Sequence, residues 1–180
     1  NLVELNNLQP HYQYGYRVKT IHNNEESGFS LMNYFTTKED LPGIMEKPNL
    51  YSHNESVMIV QFSNPDNENG HITQYEILME DIHGFTFKYN FSINESYPNS
   101  INDNNTFQVV INNLIPNTRY MVEMRSYTII GAGLFSEPSF LTMPIGKPPI
   151  PDIPQIYNVY NNRVDLSVKK VSEIYGDIIY

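Results

Sequence analysis

The reactive side chains of this 180-residue chain are few: five histidines, twenty carboxylates and no cysteine. Without Cys there is no thiolate nucleophile, no thiolate metal site and no disulfide framework. His11, His22, His53, His71 and His83 fall in different loops or strand edges. No pair has the i,i+4 spacing that sets two imidazoles on one helix face, and none neighbours a nucleophile. The carboxylates occupy turns and outward-facing positions, where solvation explains them. The linear sequence therefore predicts no catalytic, cofactor-binding or metal-ligating residue.

Two motifs imitate ligand sites. Gly131-x-Gly133-x-x-Ser136 is spaced like a dinucleotide-binding turn, but that chemistry needs a helix N-terminus aimed at the pyrophosphate. Glu137-Pro138-Ser139 follows instead, with no helical period, so a hairpin loop is expected. Pro65-x-Asn67-x-Asn69-Gly70, with Glu76 beyond, imitates a calcium loop. Its first position must supply a side-chain oxygen, and Pro65 has none, so a turn between strands is expected. The third candidate chemistry is covalent. Sequons stand at Asn54-Glu55-Ser56, Asn90-Phe91-Ser92, Asn94-Glu95-Ser96 and Asn104-Asn105-Thr106. So Asn-rich a chain yields such triplets by chance, and location says more. Asn94 and Asn104 lie in a long polar loop, residues 92–105, where a glycan disturbs no packing.

The elements that must position these residues are strands. Leu114-Ile115-Pro116-Asn117-Thr118-Arg119-Tyr120 reads as a tight corner. Pro116 ends the pairing of one strand, and Tyr120 opens the next, with Val122 and Met124 at period two. Leu8, Pro10 and Tyr14 repeat this punctuation, as do Tyr16, Val18, Ser30 and Thr36, each 106 residues before its counterpart. A period that long suits tandem sandwich domains and not a solenoid. The corner, with Gly131 to Ser136 and Phe140-Leu141-Thr142 behind it, resembles the tyrosine corner and last strands of fibronectin type III domains.

That resemblance implies an all-β chain of tandem seven-stranded immunoglobulin-like sandwiches, one complete and two partial. Residues 1–41 are expected to be the C-terminal part of one domain, with Tyr14, Tyr16 and Val18 inward. Residues 42–47 form a linker, 48–143 the complete domain, and 144–154 a Pro-rich linker. Residues 155–180 open a further domain, with Val164, Leu166 and Val168 on a half-buried strand. The run 148–154 also fits a polyproline ligand, but Pro42 and Pro48 precede Pro148 and Pro154 by the same offset, which favours the linker. In the complete domain Phe62 stands where the family usually has Trp, which predicts a different core and the same fold.

In function, the resemblance implies a non-catalytic extracellular segment of a plasma-membrane receptor. Such a segment works through adhesion, ligand binding and spacing, with any membrane span outside residues 1–180. Expected partners are a protein ligand or a neighbouring cell-surface protein. Ile129 and Ile130, at the tip of the loop between the last two strands, are either a partner contact or packing against the neighbouring domain. The pattern Val164-x-Leu166 to Val171-Ser172 to Gly176-x-Ile178 resembles the membrane-proximal type III domain of receptor-type tyrosine phosphatases. The alternatives are an adhesion molecule with no enzyme attached and an intracellular structural sandwich array. Net charge is −9, and residues 48–143 hold 3 basic against 10 acidic side chains, which argues against a nucleic-acid-binding surface.

Overall fold

The computed structural model describes residues 2–92, 106–148 and 150–169. Those residues are all-β, with no helix among them. The central body is a sandwich. One sheet has β5 (Asn49–Asn54), β6 (Val57–Ser63) and β9 (Thr106–Ile111) in the order β5-β6-β9. The other has β7 (Gln74–Asp81), β8 (Thr86–Ser92), β10 (Arg119–Tyr127) and β11 (Ser139–Thr142) in the order β11-β10-β7-β8. All strand pairs within both sheets are antiparallel.

Period-two patterning builds the interior. Met58, Val60 and Phe62 of β6, with Val109 and Ile111 of β9, face Tyr75, Ile77 and Met79 of β7 and Tyr120, Val122 and Met124 of β10. Each such side chain removed from water contributes about 1.5–3 kcal/mol. Phe62 is not alone in filling its end of the core. Its ring centroid lies 4.9 Å from that of Tyr75 and 5.5 Å from that of Phe107, and the three rings pack as a cluster. The Tyr75 hydroxyl donates to Asn64 Oδ1, so the polar tip is satisfied at the edge of the cluster.

Before the sandwich, β1 (Gln13–Tyr16) pairs with β4 (Asn33–Thr36), and β2 (Ile21–His22) with β3 (Glu25–Glu26). The β2–β3 turn places Asn23 and Asn24 at φ 49° and 65°, the two left-handed residues of a tight hairpin turn. After it, β12 (Gln155–Val159) and β13 (Val164–Ser167) form a hairpin. The 106-residue period extends to individual hydrogen bonds. Ser30 N donates to Val18 O and Ser136 N to Met124 O; Ser27 N donates to Thr20 O and Gly133 N to Ser126 O. In the outer hairpin Ile156 faces Leu166, as Leu50 faces Val60.

Burial does not repeat with the backbone. Tyr16 and Val18, expected inward, are exposed, as are Val164, Leu166 and Val168. The physical reason is that a sheet face is dry only when a second layer covers it, and among the described residues no second sheet lies over either flanking segment.

Candidate functional site

The loop between β10 and β11 is shaped by the chain segment that precedes the sandwich. Segment 42–47, expected as a linker, lies against the sandwich, with Pro42 and Met45 buried. Backbone bonds fix it: Asp40 N donates to Asn69 O at 2.9 Å, and Gly43 N to Asn67 O at 2.8 Å. Asn69 Nδ2 donates to Leu41 O, and Thr128 Oγ1 to Asp40 O, so two loops of the sandwich grip one strand-like segment. Both imitation motifs are explained here. Asn67 and Asn69 of the calcium-like turn hold the segment through their carbonyls, with Asn69 at φ 55°. Gly133 of the nucleotide-like turn lies so close that a Cβ there would stand 2.7 Å from Pro42 O. Glycine is needed for backbone proximity.

The loop tip is free of this contact. Ile129 is 78 % exposed and Ile130 55 %, while Thr128 and Gly131 bond to each other at the loop base. The structure thus separates the base, which holds the preceding segment, from two isoleucines in solvent. Of the sequon residues, Asn54 ends β5 in the open, its Oδ1 accepting from Ser56 N at 2.9 Å. Asn90 is exposed on edge strand β8. Asn94 and Asn104 lie outside the described residues.

The two corners are built alike. Tyr120 is buried, and its Oη accepts from Ile115 N at 2.9 Å; Leu114 is buried beside it. Tyr14 Oη accepts from Gln9 N at 2.8 Å and is half-buried. Leu8 is half-buried, and Pro10 and Pro116 occupy equivalent places in the two turns. The residue after each Pro, His11 or Asn117, is left-handed, at φ 50° and 51°. The His11 N–H reaches Lys38 O at 2.9 Å, and the Asn117 N–H reaches Pro144 O at 3.0 Å.

Two charged groups escape the surface reading. Glu76 faces the outside of the β7–β10 sheet yet is 3 % exposed. Arg125 covers it, with Nε 2.7 Å from Glu76 Oε2, and stacks over Phe135 at 4.4 Å; Tyr127 Oη donates to the same oxygen. Burial pushes the Glu76 carboxyl up, but hydrogen bonds from Tyr127 and Arg125 and the charges of Arg125 and Lys88 outweigh it, leaving the carboxyl below its ordinary range. At the junction, Glu39 Oε1 lies 3.0 Å from His71 Nδ1 and 3.7 Å from His11 Nδ1. The His71 hydrogen bond holds the Glu39 carboxyl down, against burial. His11, Glu39 and His71 bring their ligand atoms within 4.8 Å of one another. Sequence spacing had no sign of this cluster, because its members meet only when the first segment docks.

Comparison with known proteins supplies the family. The chain is 27 % identical over 148 residues to Roundabout homolog 1 of Mus musculus, covering 79 % of this chain and 9 % of that one. It is 27 % identical over 143 residues to Ephrin type-B receptor 3 of Xenopus laevis, covering 76 % and 13 %. It thus spans about a tenth of the length of these curated relatives. The crystal structure of domains d3-d4 of the rat CD45 extracellular region matches with a TM-score of 0.57 and 17 % identity, over 79 % of this chain and 70 % of that one. The fibronectin type III domain profile matches residues 47–142, more than half of the sequence, and the chain belongs to the fibronectin type III family.

Proposed function

We propose that this chain is a non-catalytic, extracellular stretch of a cell-surface receptor or adhesion protein, a run of fibronectin type III domains that presents a protein-binding loop at a set spacing. In this reading residues 1–41 close one domain, 48–143 form a whole one and 155–180 open the next. The observation that carries it is the Ile129–Ile130 tip: two adjacent large apolar side chains in solvent, on a loop whose base is fixed by hydrogen bonds. Exposed apolar groups on a rigid support are what a partner buries at little ordering cost. The receptor character of the relatives supports the setting, and the acidic surface suits a protein partner over a polyanion.

The test is capture from a panel of cell-surface ectodomains by the 180-residue chain and by an Ile129→Ser/Ile130→Ser variant. Loss of capture, with the urea transition moved by no more than about 0.5 kcal/mol, supports the loop as the contact. Capture that survives the double change sinks it. For the extracellular setting, protein secreted from eukaryotic cells should lose mass on N-glycosidase treatment, from Asn54, Asn90, Asn94 or Asn104. Material from the native source with no glycan at any sequon would favour an intracellular array instead.

Attachment to a receptor-type tyrosine phosphatase rests on the 164–178 pattern, whose final residues lie outside the described residues. The sequence beyond Tyr180 tests it. The reading requires the remaining strands, an apolar span of about 20 residues and a cytoplasmic domain with a His-Cys-five residues-Arg loop. Further type III domains without that loop would leave an adhesion molecule.

A further inference from the structure

We propose that His11, Glu39 and His71 form a zinc site that clasps the first segment to the sandwich. Two imidazoles and one carboxylate are a zinc donor set, and nitrogen donors disfavour calcium and magnesium. Bonds of about 2.0–2.2 Å set tetrahedral ligand atoms about 3.3–3.6 Å apart. Glu39 Oε1 already stands 3.0 Å from His71 Nδ1 and 3.7 Å from His11 Nδ1. The two rings meet edge-on, with centroids 4.6 Å apart and both Nδ1 atoms turned to the same oxygen. The His11 and His71 side chains are 38 % and 77 % exposed, so both rings have room to turn toward a shared metal.

The carboxylate is held for this role. Glu39 Oε2 is buried with no hydrogen-bond partner among the described residues, wedged against Gly70, where a Cβ would come within 2.8 Å of it. A rotation that solvated Oε2 would withdraw Oε1 from the rings. The backbone of His11 is also fixed, in the left-handed region and bonded to Lys38 O. Glu39 and His11 therefore approach as one unit from the first segment, and His71 approaches from the sandwich. Three protein donors leave one position of a tetrahedral zinc for water.

The chain contains its own control. The next corner has the same backbone bonds but carries Asn117 for His11 and Ile145 for Glu39. His11→Asn therefore installs a residue that already tolerates this left-handed turn, and the variant should fold.

The experiment is calorimetric titration of zinc chloride into the 180-residue chain in a non-chelating buffer, with thermal unfolding followed in parallel. The expected result is one zinc per chain, with binding at least about tenfold weaker in His11→Asn and in His71→Ala. The unfolding midpoint should rise with zinc in the parent chain and rise less at the same zinc concentration in both variants, because a ligand of the folded state stabilises it by mass action. No binding heat from the parent chain, or affinity unchanged in both variants, overturns the site and leaves a carboxylate flanked by two histidines.

Discussion

The corner at residues 8–14 and the corner at 114–120 have the same backbone and different surroundings. In both, a Tyr hydroxyl accepts an N–H five residues back, a left-handed residue follows Pro, and the Tyr is the second residue of the next strand. At 114–120 the strand that follows buries Val122 and Met124 completely, because the β5-β6-β9 sheet lies over them. At 8–14 the equivalent Tyr16 and Val18 stand in solvent. Hydrogen-bond geometry is thus a local property of the corner, whereas its energetic weight depends on what covers it.

The largest expected difference is in the core. Met124→Ala should cost about 2–5 kcal/mol in urea-induced unfolding, as a buried side chain is replaced by a cavity. Val18→Ala, its counterpart, should stay within about 0.5 kcal/mol. Equal costs would mean that the first segment has a covered core of its own.

Next come the ion pairs of Arg125 and of its counterpart Lys19. Arg125→Met takes the nearest cation from a buried carboxylate, leaving it the Tyr127 hydrogen bond and the more distant Lys88, and should cost about 3 kcal/mol. Its counterpart Lys19 pairs with Glu26 in the open, so Lys19→Met should cost less than about 1 kcal/mol. The pH profile sharpens this. A carboxyl lowered in the folded state stabilises the fold above its unfolded pKa, and that stability disappears as pH falls through the folded value. The parent chain should therefore lose stability on acidification below the ordinary Glu pKa, about 4.3, more steeply than Glu76→Gln. Parallel acid limbs for the two proteins would remove Glu76 from the account.

The smallest expected effect is at the hydroxyls. Tyr120→Phe leaves the Ile115 N–H without its acceptor in a part-buried corner, beside the buried Tyr120 ring, and should cost about 1–3 kcal/mol. At Tyr14 the Gln9 N–H is exposed to water, so Tyr14→Phe should cost about 0.5 kcal/mol or less. A Tyr14→Phe loss as large as that of Tyr120→Phe would show that solvent does not replace the hydroxyl there.

The all-β sandwich class was legible in the linear pattern of residues. Alternation at Met58-Val60-Phe62 and at Tyr120-Val122-Met124 is a nearest-neighbour pattern, and a strand's pleat converts it directly into an inward face. The linear pattern also showed that the histidines lack helical spacing, which is true and irrelevant to a β protein, where ligands converge from separate loops. Glu76 escaped for a related reason: alternation assigns it to the outer face, and only Arg125, Tyr127 and Phe135, brought alongside through pairing with β7 and through the β10–β11 loop, make that face dry. That Asn67, Asn69 and Gly133 grip segment 40–43, and that His11 and Glu39 come to rest against His71, is visible only in the folded chain. Such meetings depend on how two folded pieces dock. That is set by summed contacts across distant residues, and no local period records it.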